Sequence, residues 1–152
     1  MKFSIPYLVE INSELKRFEY YIDGEFKSKL LNAEITANVT VQNEDSLVFF
    51  IHVRFKYDSA KEEKTLFHAD YITTFKNEDG SLGKDLTIEI EKEQLAHLLG
   101  MSILMVRGAM AMSLKGNVIA RYPLPVISPL EILTEKLDTK ESKFIVPIVE
   151  NS

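Results

Sequence analysis

The chain has 152 residues, of which 45% are hydrophobic and 27% charged, and its formal net charge is −5. This length predicts a single domain, 1–152, that is large enough for a hydrophobic core. The negative charge and the scattered basic residues argue against a nucleic-acid partner, since phosphate contacts need a basic patch, and the lack of cysteine excludes disulfides, thiolate nucleophiles and cysteine-ligated metals.

The N-terminal segment 1–14, MKFSIPYLVEINSE, predicts a half-buried strand and no targeting signal. It has one lysine and no sustained apolar run, which argues against a signal peptide or anchor. With the lack of cysteine, this makes a cytoplasmic protein our expectation. Pro6 has no N–H to donate to a ladder and so favours an edge strand. The predicted buried side contains Phe3, Ile5, Tyr7, Val9 and Ile11.

The next segment, 18–31, places several aromatic residues around an Asp23-Gly24 turn signal. This dipeptide favours a tight hairpin. An irregular excursion with partly exposed aromatic side chains explains the composition equally well. Both interpretations stay open at this point.

Three further segments, 33–42, 47–57 and 65–75, alternate between apolar and polar residues. They predict antiparallel strands with one apolar and one polar face, and His52, His68 and Asp70 fall on the polar face. A short extended piece at 86–90 follows. The predicted fold class is α+β, with a four-stranded antiparallel sheet followed by a long helix and a short C-terminal helix.

Residues 91–122 predict one long helix with apolar residues on all sides. One sheet covers only one side, so another subunit or a bound partner must cover the rest. A membrane span is the competing explanation, but Arg107 near its centre would cost roughly 2.5 kcal/mol or more. We therefore predict an interface helix that is not inserted in a membrane. The subunit contacts are assigned to Leu98, Met101, Leu104, Met105, Gly108 and Met112.

The C-terminal part begins with a proline-rich run, RYPLPVISP, which favours an extended conformation. Ser128 as the cap and Pro129 at the first position predict a final helix after it. Its apolar stripe would contain Leu130, Ile132, Leu133 and Leu137. The FIVPIV run at 144–149 has no obvious place in the sheet, so we expect the tail to be mobile or to lie on an apolar surface of this or another subunit.

No motif for catalysis or metal binding is visible. His52, His68 and Asp70 share a face but lack the spacing of a His-Glu-x-x-His site, so we interpret the histidines as solvated sheet residues. The GxGxxG, P-loop and GxSxG motifs are absent. The sequence therefore predicts no enzyme activity, no catalytic residue, no metal and no cofactor.

Three runs carry a resemblance: EQLAHLLG at 93–100, MVRGAMAMSL at 105–114 and YPLPVISPLEIL at 122–133. Following four strands, they resemble the SecB family of protein-export chaperones, which includes members attached to toxin–antitoxin systems. Residues 95–100 are similar to the family's Met-Ala-His-x-Leu-Gly element, and Arg107 to its helix arginine. Phe67-His68-Ala69-Asp70, followed by Phe75, is similar to its strand motif.

The resemblance implies an ATP-independent holdase that forms a homotetramer, a dimer of dimers, and holds unfolded or preprotein polypeptides in apolar grooves. It also implies a partner, either the motor ATPase of protein export, with Asp70 as the contact candidate, or a labile client such as an antitoxin. Such binding would be promiscuous and independent of nucleotide. The groove candidates are Phe18, Tyr20, Tyr21, Phe26, Leu31, Leu124, Val126, Ile127, Leu130, Leu133 and Leu137.

Two other functions stay open. A small-ligand-binding domain or hotdog-like enzyme would also combine a sheet with a long helix, although the hotdog fold places its helix before most strands. That function would need an enclosed pocket on which His52, His68 or Asp70 converge. An oligomeric structural protein without a client is the other possibility.

Overall fold

The computed structural model describes residues 2–4, 6–15, 30–58, 63–80, 87–115, 128–133, 138–140 and 143–147. It confirms the α+β class, with a four-stranded antiparallel sheet and one long helix. In chain order the elements are β1 (Tyr7–Leu15), β2 (Leu31–Gln42), β3 (Ser46–Asp58), β4 (Glu63–Lys76), β5 (Thr87–Glu91), α1 (Lys92–Ser113), a 3-10 turn (Pro129–Ile132), β6 (Asp138–Lys140) and β7 (Lys143–Pro147).

The large sheet has the strand order β1-β4-β3-β2. A tight turn joins β2 to β3, where Asn43 and Glu44 adopt φ angles of 54° and 61°, a left-handed conformation to which asparagine is well suited. The successive strands β1 and β2 lie at opposite edges, and Pro6 immediately precedes the edge strand β1, as predicted. The strand begins at Tyr7 and not at Phe3.

The predicted burial of β1 is wrong. Tyr7, Val9 and Ile11 are 60%, 48% and 52% exposed. Tyr7 and Val9 pair with Thr74 and Ile72 of β4, which lie on the face of the sheet away from the helix. Because α1 covers the other face of the sheet, the apolar residues that alternate along β1 lie on the uncovered face.

Helix α1 covers one face of the large sheet. Its Leu95, Leu99 and Val106 are fully buried. A buried polar contact lies in the same layer, where Ser102 Oγ is 2.6 Å from Thr73 Oγ1 and 3.1 Å from the carbonyl oxygen of Leu98. The residues of the large sheet in the core are Ile35, Ala37, Val39, Val41, Leu47, Phe49, Ile51, Val53, Phe55, Tyr57, Leu66, Phe67, Ala69, Tyr71 and Phe75.

The helix is shorter than predicted. It begins at Lys92 and ends at Ser113, and the N–H of its C-terminal cap, Leu114, donates to the Met110 carbonyl oxygen at 2.8 Å. Glu91 is both the last residue of β5 and the N-terminal cap, so this strand runs directly into the helix. The rest of the predicted helix, 116–122, lies outside the described residues.

The C-terminal tail does have a place, in a second sheet with the order β5-β7-β6. Strand β7 contains the first part of the FIVPIV run and pairs antiparallel with β5. Ile88 and Ile90 of β5 and Val146 of β7 are buried. The alternative of a mobile tail is therefore wrong for this segment, and the tail lies against its own subunit, paired with β5 and with Val146 buried.

The predicted C-terminal helix is a single 3-10 turn in the described residues. Pro129 occupies its first position, as predicted, but Ser128 makes no side-chain cap hydrogen bond. The turn lies against both α1 and β2, because Pro129 is next to Gly100 and Leu133 forms a bridge with Ala37. The predicted stripe residue Leu137 lies outside the described residues.

Candidate functional site

The first candidate surface is the side of α1 that faces away from the sheet, which we call the open side. Leu104 is 68% exposed and Met112 is 82% exposed, while Met101 and Met105 are half-buried and Gly108 is exposed. Their spacing of three and four residues puts all five on one side of the helix. They are five of the six residues predicted to form a subunit contact.

The sixth predicted contact residue, Leu98, lies elsewhere. It is 5% exposed and belongs to the core between α1 and the sheet. The apolar composition of the helix is therefore divided between a side covered within the chain and a side that is not.

By length and apolar composition, α1 is a helix that could cross a membrane, a criterion that core helices also meet. Its contacts with the sheet through Leu95, Leu99 and Val106 are those of a core helix. The assignment of the rest of α1 to an interface stays a prediction.

The predicted polypeptide groove is only partly described. Leu31, Leu130 and Leu133 are half-buried and lie against the core. Leu133 bridges Ala37, six positions after Leu31 on β2, which is about 20 Å along a strand. The structure therefore brings Leu130 and Leu133 together and leaves Leu31 apart. The candidates outside the described residues are Phe18, Tyr20, Tyr21, Phe26, Leu124, Val126, Ile127 and Leu137.

The second candidate surface is a cavity of about 270 Å³ on the outer face of the large sheet, the face away from α1. His52 and Asp70 are directly opposite each other on β3 and β4, and His52 Nδ1 is 2.5 Å from Asp70 Oδ1. The two side chains are 44% and 34% exposed, so the cavity is open. The lining residues are Ile11, Asn12, Thr36, Ala37, Asn38, Phe50, Ile51, His52, Asp70 and Tyr71.

His68 does not join this pair. Its Nε2 is 3.2 Å from Glu14 Oε2 on the edge strand β1. In the described part of the chain no group of three histidine, aspartate or glutamate side chains forms a possible metal site. The three polar residues singled out in the sequence thus form two separate contacts, His52 with Asp70 and His68 with Glu14.

The remaining charges on the outer face are also paired across strands. Lys56 Nζ is 2.8 Å from Glu34 Oε1, and this hydrogen bond lowers the pKa of the Glu34 carboxyl group despite the opposing effect of burial. Arg54 Nε donates to Thr65 Oγ1 at 2.9 Å. In the described residues Asp70, the contact candidate for the export motor, therefore shares this face with basic as well as acidic side chains.

The structure leaves two surfaces open in its described part, the open side of α1 and the outer face of the sheet. Sequence reasoning found the first and missed the cavity on the second. The available signal was strand register, which places His52 opposite Asp70 once β3 and β4 are paired. In comparisons with known proteins, no family model, curated protein or solved structure matches this chain.

Proposed function

We propose that this protein is an ATP-independent holdase chaperone that assembles through α1 and binds unfolded polypeptide segments on apolar surfaces. The observation that carries the proposal is the open side of α1, where Leu104 and Met112 are more than half exposed. A continuous exposed apolar strip of this kind marks an interaction surface in soluble proteins. The resemblance of the helix and proline segments to the SecB family supports the same function.

The composition of the open side favours contact with another helix. Met101, Leu104, Met105 and Met112 provide apolar side chains, and Gly108 provides a gap through which a second backbone can approach. Helices packed in this way lie 8–10 Å apart. A second copy of α1 is the partner we propose here, within the homotetramer that the resemblance implies.

An unfolded client can also use the backbone of the protein. Among the described strands, β1 pairs only with β4, so its other edge has free N–H and C=O groups. Exposed apolar side chains of Tyr7 and Val9 lie beside this edge. Strand addition to an exposed edge is a common way of binding an extended peptide with little sequence preference. Under the proposal the protein acts in the cytoplasm, with an export preprotein and its motor ATPase or an antitoxin as partner.

The alternative of a hotdog-like enzyme has less support. The strands of the large sheet precede α1, whereas the hotdog fold has its helix before most strands. The outer-face cavity is open, and His68 does not converge on it with His52 and Asp70. We therefore assign no catalytic step to the protein.

The test combines native mass spectrometry with suppression of aggregation of an unfolded protein in the absence of ATP. The wild-type chain is expected to form a tetramer and to suppress aggregation at a stoichiometric ratio. Leu104→Asp should dissociate the assembly, because it places an unpaired charge in an apolar contact, and the apolar control Leu104→Met should not. A stable wild-type monomer, or a tetramer that fails to suppress aggregation, would contradict the proposal.

A further inference from the structure

The outer-face cavity runs across the strands of the large sheet. Its lining comes from all four strands, from Asn12 on the edge strand β1 to Thr36 on the opposite edge strand β2. At the β1 end the register shifts between Glu10 and Asn12, which leaves Ile11 without a partner in the ladder. Such a bulge bends an edge strand and redirects its side chains. The cavity is therefore built from four strands and a bulge, and is not a gap in a flat sheet.

The polar wall of the cavity presents hydrogen-bond acceptors. When Asp70 is ionised and His52 is neutral with its proton on Nδ1, Nδ1 donates to Asp70 Oδ1 across the 2.5 Å contact. Neutral histidine has one N–H, so this contact leaves Nε2 of His52 as an acceptor. The second oxygen of the Asp70 carboxylate is also an acceptor. A ligand group that donates a hydrogen bond matches both acceptors, Nε2 of His52 and the second oxygen of Asp70.

The lining also contains apolar side chains. They include Phe50 and Ile11, and an aromatic ring against Phe50 gains contact energy beyond its buried area. The other contributors on the outer face, Asn12, Thr36 and Asn38, are small and uncharged. A ligand with an apolar ring and a hydrogen-bond donor thus matches the apolar and the acceptor groups of the lining.

Charge excludes most other ligands. Among the described lining residues Asp70 has a carboxylate and none is a lysine or arginine, so an anion would meet this negative charge with no described lining cation to offset it. Arg54 is not among the described lining residues, but it follows His52 on the same face of β3 and donates to Thr65, so its positive charge lies beside the cavity and opposes a cation next to His52. An uncharged ligand with a hydrogen-bond donor avoids repulsion by either charge. The volume of about 270 Å³ is below the range of pockets for drug-sized ligands, so it suits one ring system.

We propose that this cavity binds an uncharged aromatic ring carrying a single hydrogen-bond donor, a phenol or an indole. The source of the ring is either a free small molecule or a tyrosine or tryptophan side chain of a polypeptide. This site lies on the face of the sheet opposite α1 and goes beyond the proposed holdase function. It needs neither assembly nor client holding, so each proposal can fail without the other.

The same face of the sheet contains a matched control. His68 and Glu14 also form a histidine–carboxylate contact between neighbouring strands, at 3.2 Å, but neither lines the cavity. Removing the His68 ring therefore tests a histidine of the same face and similar exposure. The comparison separates binding in the cavity from a general effect of outer-face histidines.

The experiment is a titration followed by backbone amide NMR of the full chain, with 4-methylphenol and toluene as probes. 4-Methylphenol should shift the amides of Thr36, Ile51 and Asp70 saturably. Toluene, which has the same ring without a donor, should bind about fivefold more weakly, as expected for one lost hydrogen bond. Equal affinity of the two probes, tighter binding of benzylamine, or shifts confined to α1 would overturn the proposal.

Two variants and one further probe sharpen the result. Asp70→Asn should weaken 4-methylphenol about fivefold by removing the carboxylate that fixes the His52 tautomer, while His68→Ala should leave the affinity unchanged. An unchanged affinity of Asp70→Asn would overturn the proposal, and the comparison of probes on the wild-type chain decides it if this variant fails to fold. Tighter binding of N-acetyltyrosine amide than of 4-methylphenol would identify a polypeptide side chain as the source, and weaker binding would identify a free ring.

Discussion

The two sides of α1 have similar compositions and opposite surroundings. The side toward the sheet contains Leu95, Leu99 and Val106, all fully buried, and the open side contains Leu104 and Met112, both largely exposed. The apolar composition of a helix thus shows that burial of both sides would be favourable. It does not show which side is buried within the same chain. The sheet covers one side of the helix, and the other side stays available for contact with another molecule.

The sharpest test of this difference places the same charge on each side. Val106→Asp should prevent folding, because an unpaired carboxylate in the core costs several kcal/mol. Leu104→Asp should leave the chain folded, since the side chain it replaces is exposed. Far-ultraviolet circular dichroism of the dilute proteins shows whether each variant is folded. If the two variants unfold alike, the two sides of the helix do not differ as described.

A smaller effect is expected at the polar contact within the buried side. Ser102→Ala should lower the free energy of unfolding by about 1–3 kcal/mol, because the Thr73 hydroxyl loses its buried partner. The double variant Ser102→Ala with Thr73→Val should recover part of this loss, since both polar groups are then gone. Urea unfolding measures these two variants and the single variant Thr73→Val. Strictly additive losses would show that the two hydroxyl groups are not coupled.

Tyr71 gives the buried side a dependence on pH. Burial raises the pKa of its phenol above the usual value, and the charge of the nearby Glu10 raises it further. The folded state thus favours the neutral phenol, and the resulting stability is complete below about pH 10, the unfolded pKa, and is lost as pH rises above it. We expect a loss of about 1 kcal/mol by pH 11, measured by urea unfolding. Tyr71→Phe should remove this loss, and an unchanged high-pH profile would contradict the assignment.

The smallest effect is expected on the outer face of the sheet, which neither side of α1 touches. The bond with Lys56 lowers the pKa of Glu34, so its contribution is present above the usual glutamate pKa and is lost as pH falls through the lowered value. Because Glu34 is half exposed, Glu34→Gln should cost only a few tenths of a kcal/mol at pH 7. Thermal unfolding at low and high salt measures this. A loss above about 1 kcal/mol would show that the pair is shielded from solvent.

The faces of the central strands were predictable because burial against α1 repeats every second residue along β2, β3 and β4. The exposure of Tyr7 and Val9 was not predictable, because alternation assigns residues to a face of the sheet without showing which face the helix covers. The end of the helix was signalled by Gly116-Asn117, a typical stop, but the apolar run beyond it obscured that signal. The place of β7 depends on a distant partner, which no local pattern contains.

The candidate site divides in the same way. The open side of α1 follows from composition, because more apolar surface is present than one sheet can cover. The cavity depends on register between strands, which brings His52 opposite Asp70 although they are 18 positions apart. Its lining also includes Ile11, the residue of the bulge, and the sequence of an edge strand does not specify a bulge.

The junction at Glu91 has a consequence for the order of folding. Strands β2, β3 and β4 are joined by short connections and can pair early, whereas β5 pairs with β7 more than fifty positions away, and closing so long a loop is slow. Since β5 continues into α1 without an intervening loop, the start of the helix is held in its final position only after that late pairing. A folding intermediate with the large sheet formed and the first turn of α1 still unanchored is therefore expected, and late protection of the Ile88 and Ile90 amides in pulsed hydrogen exchange would reveal it.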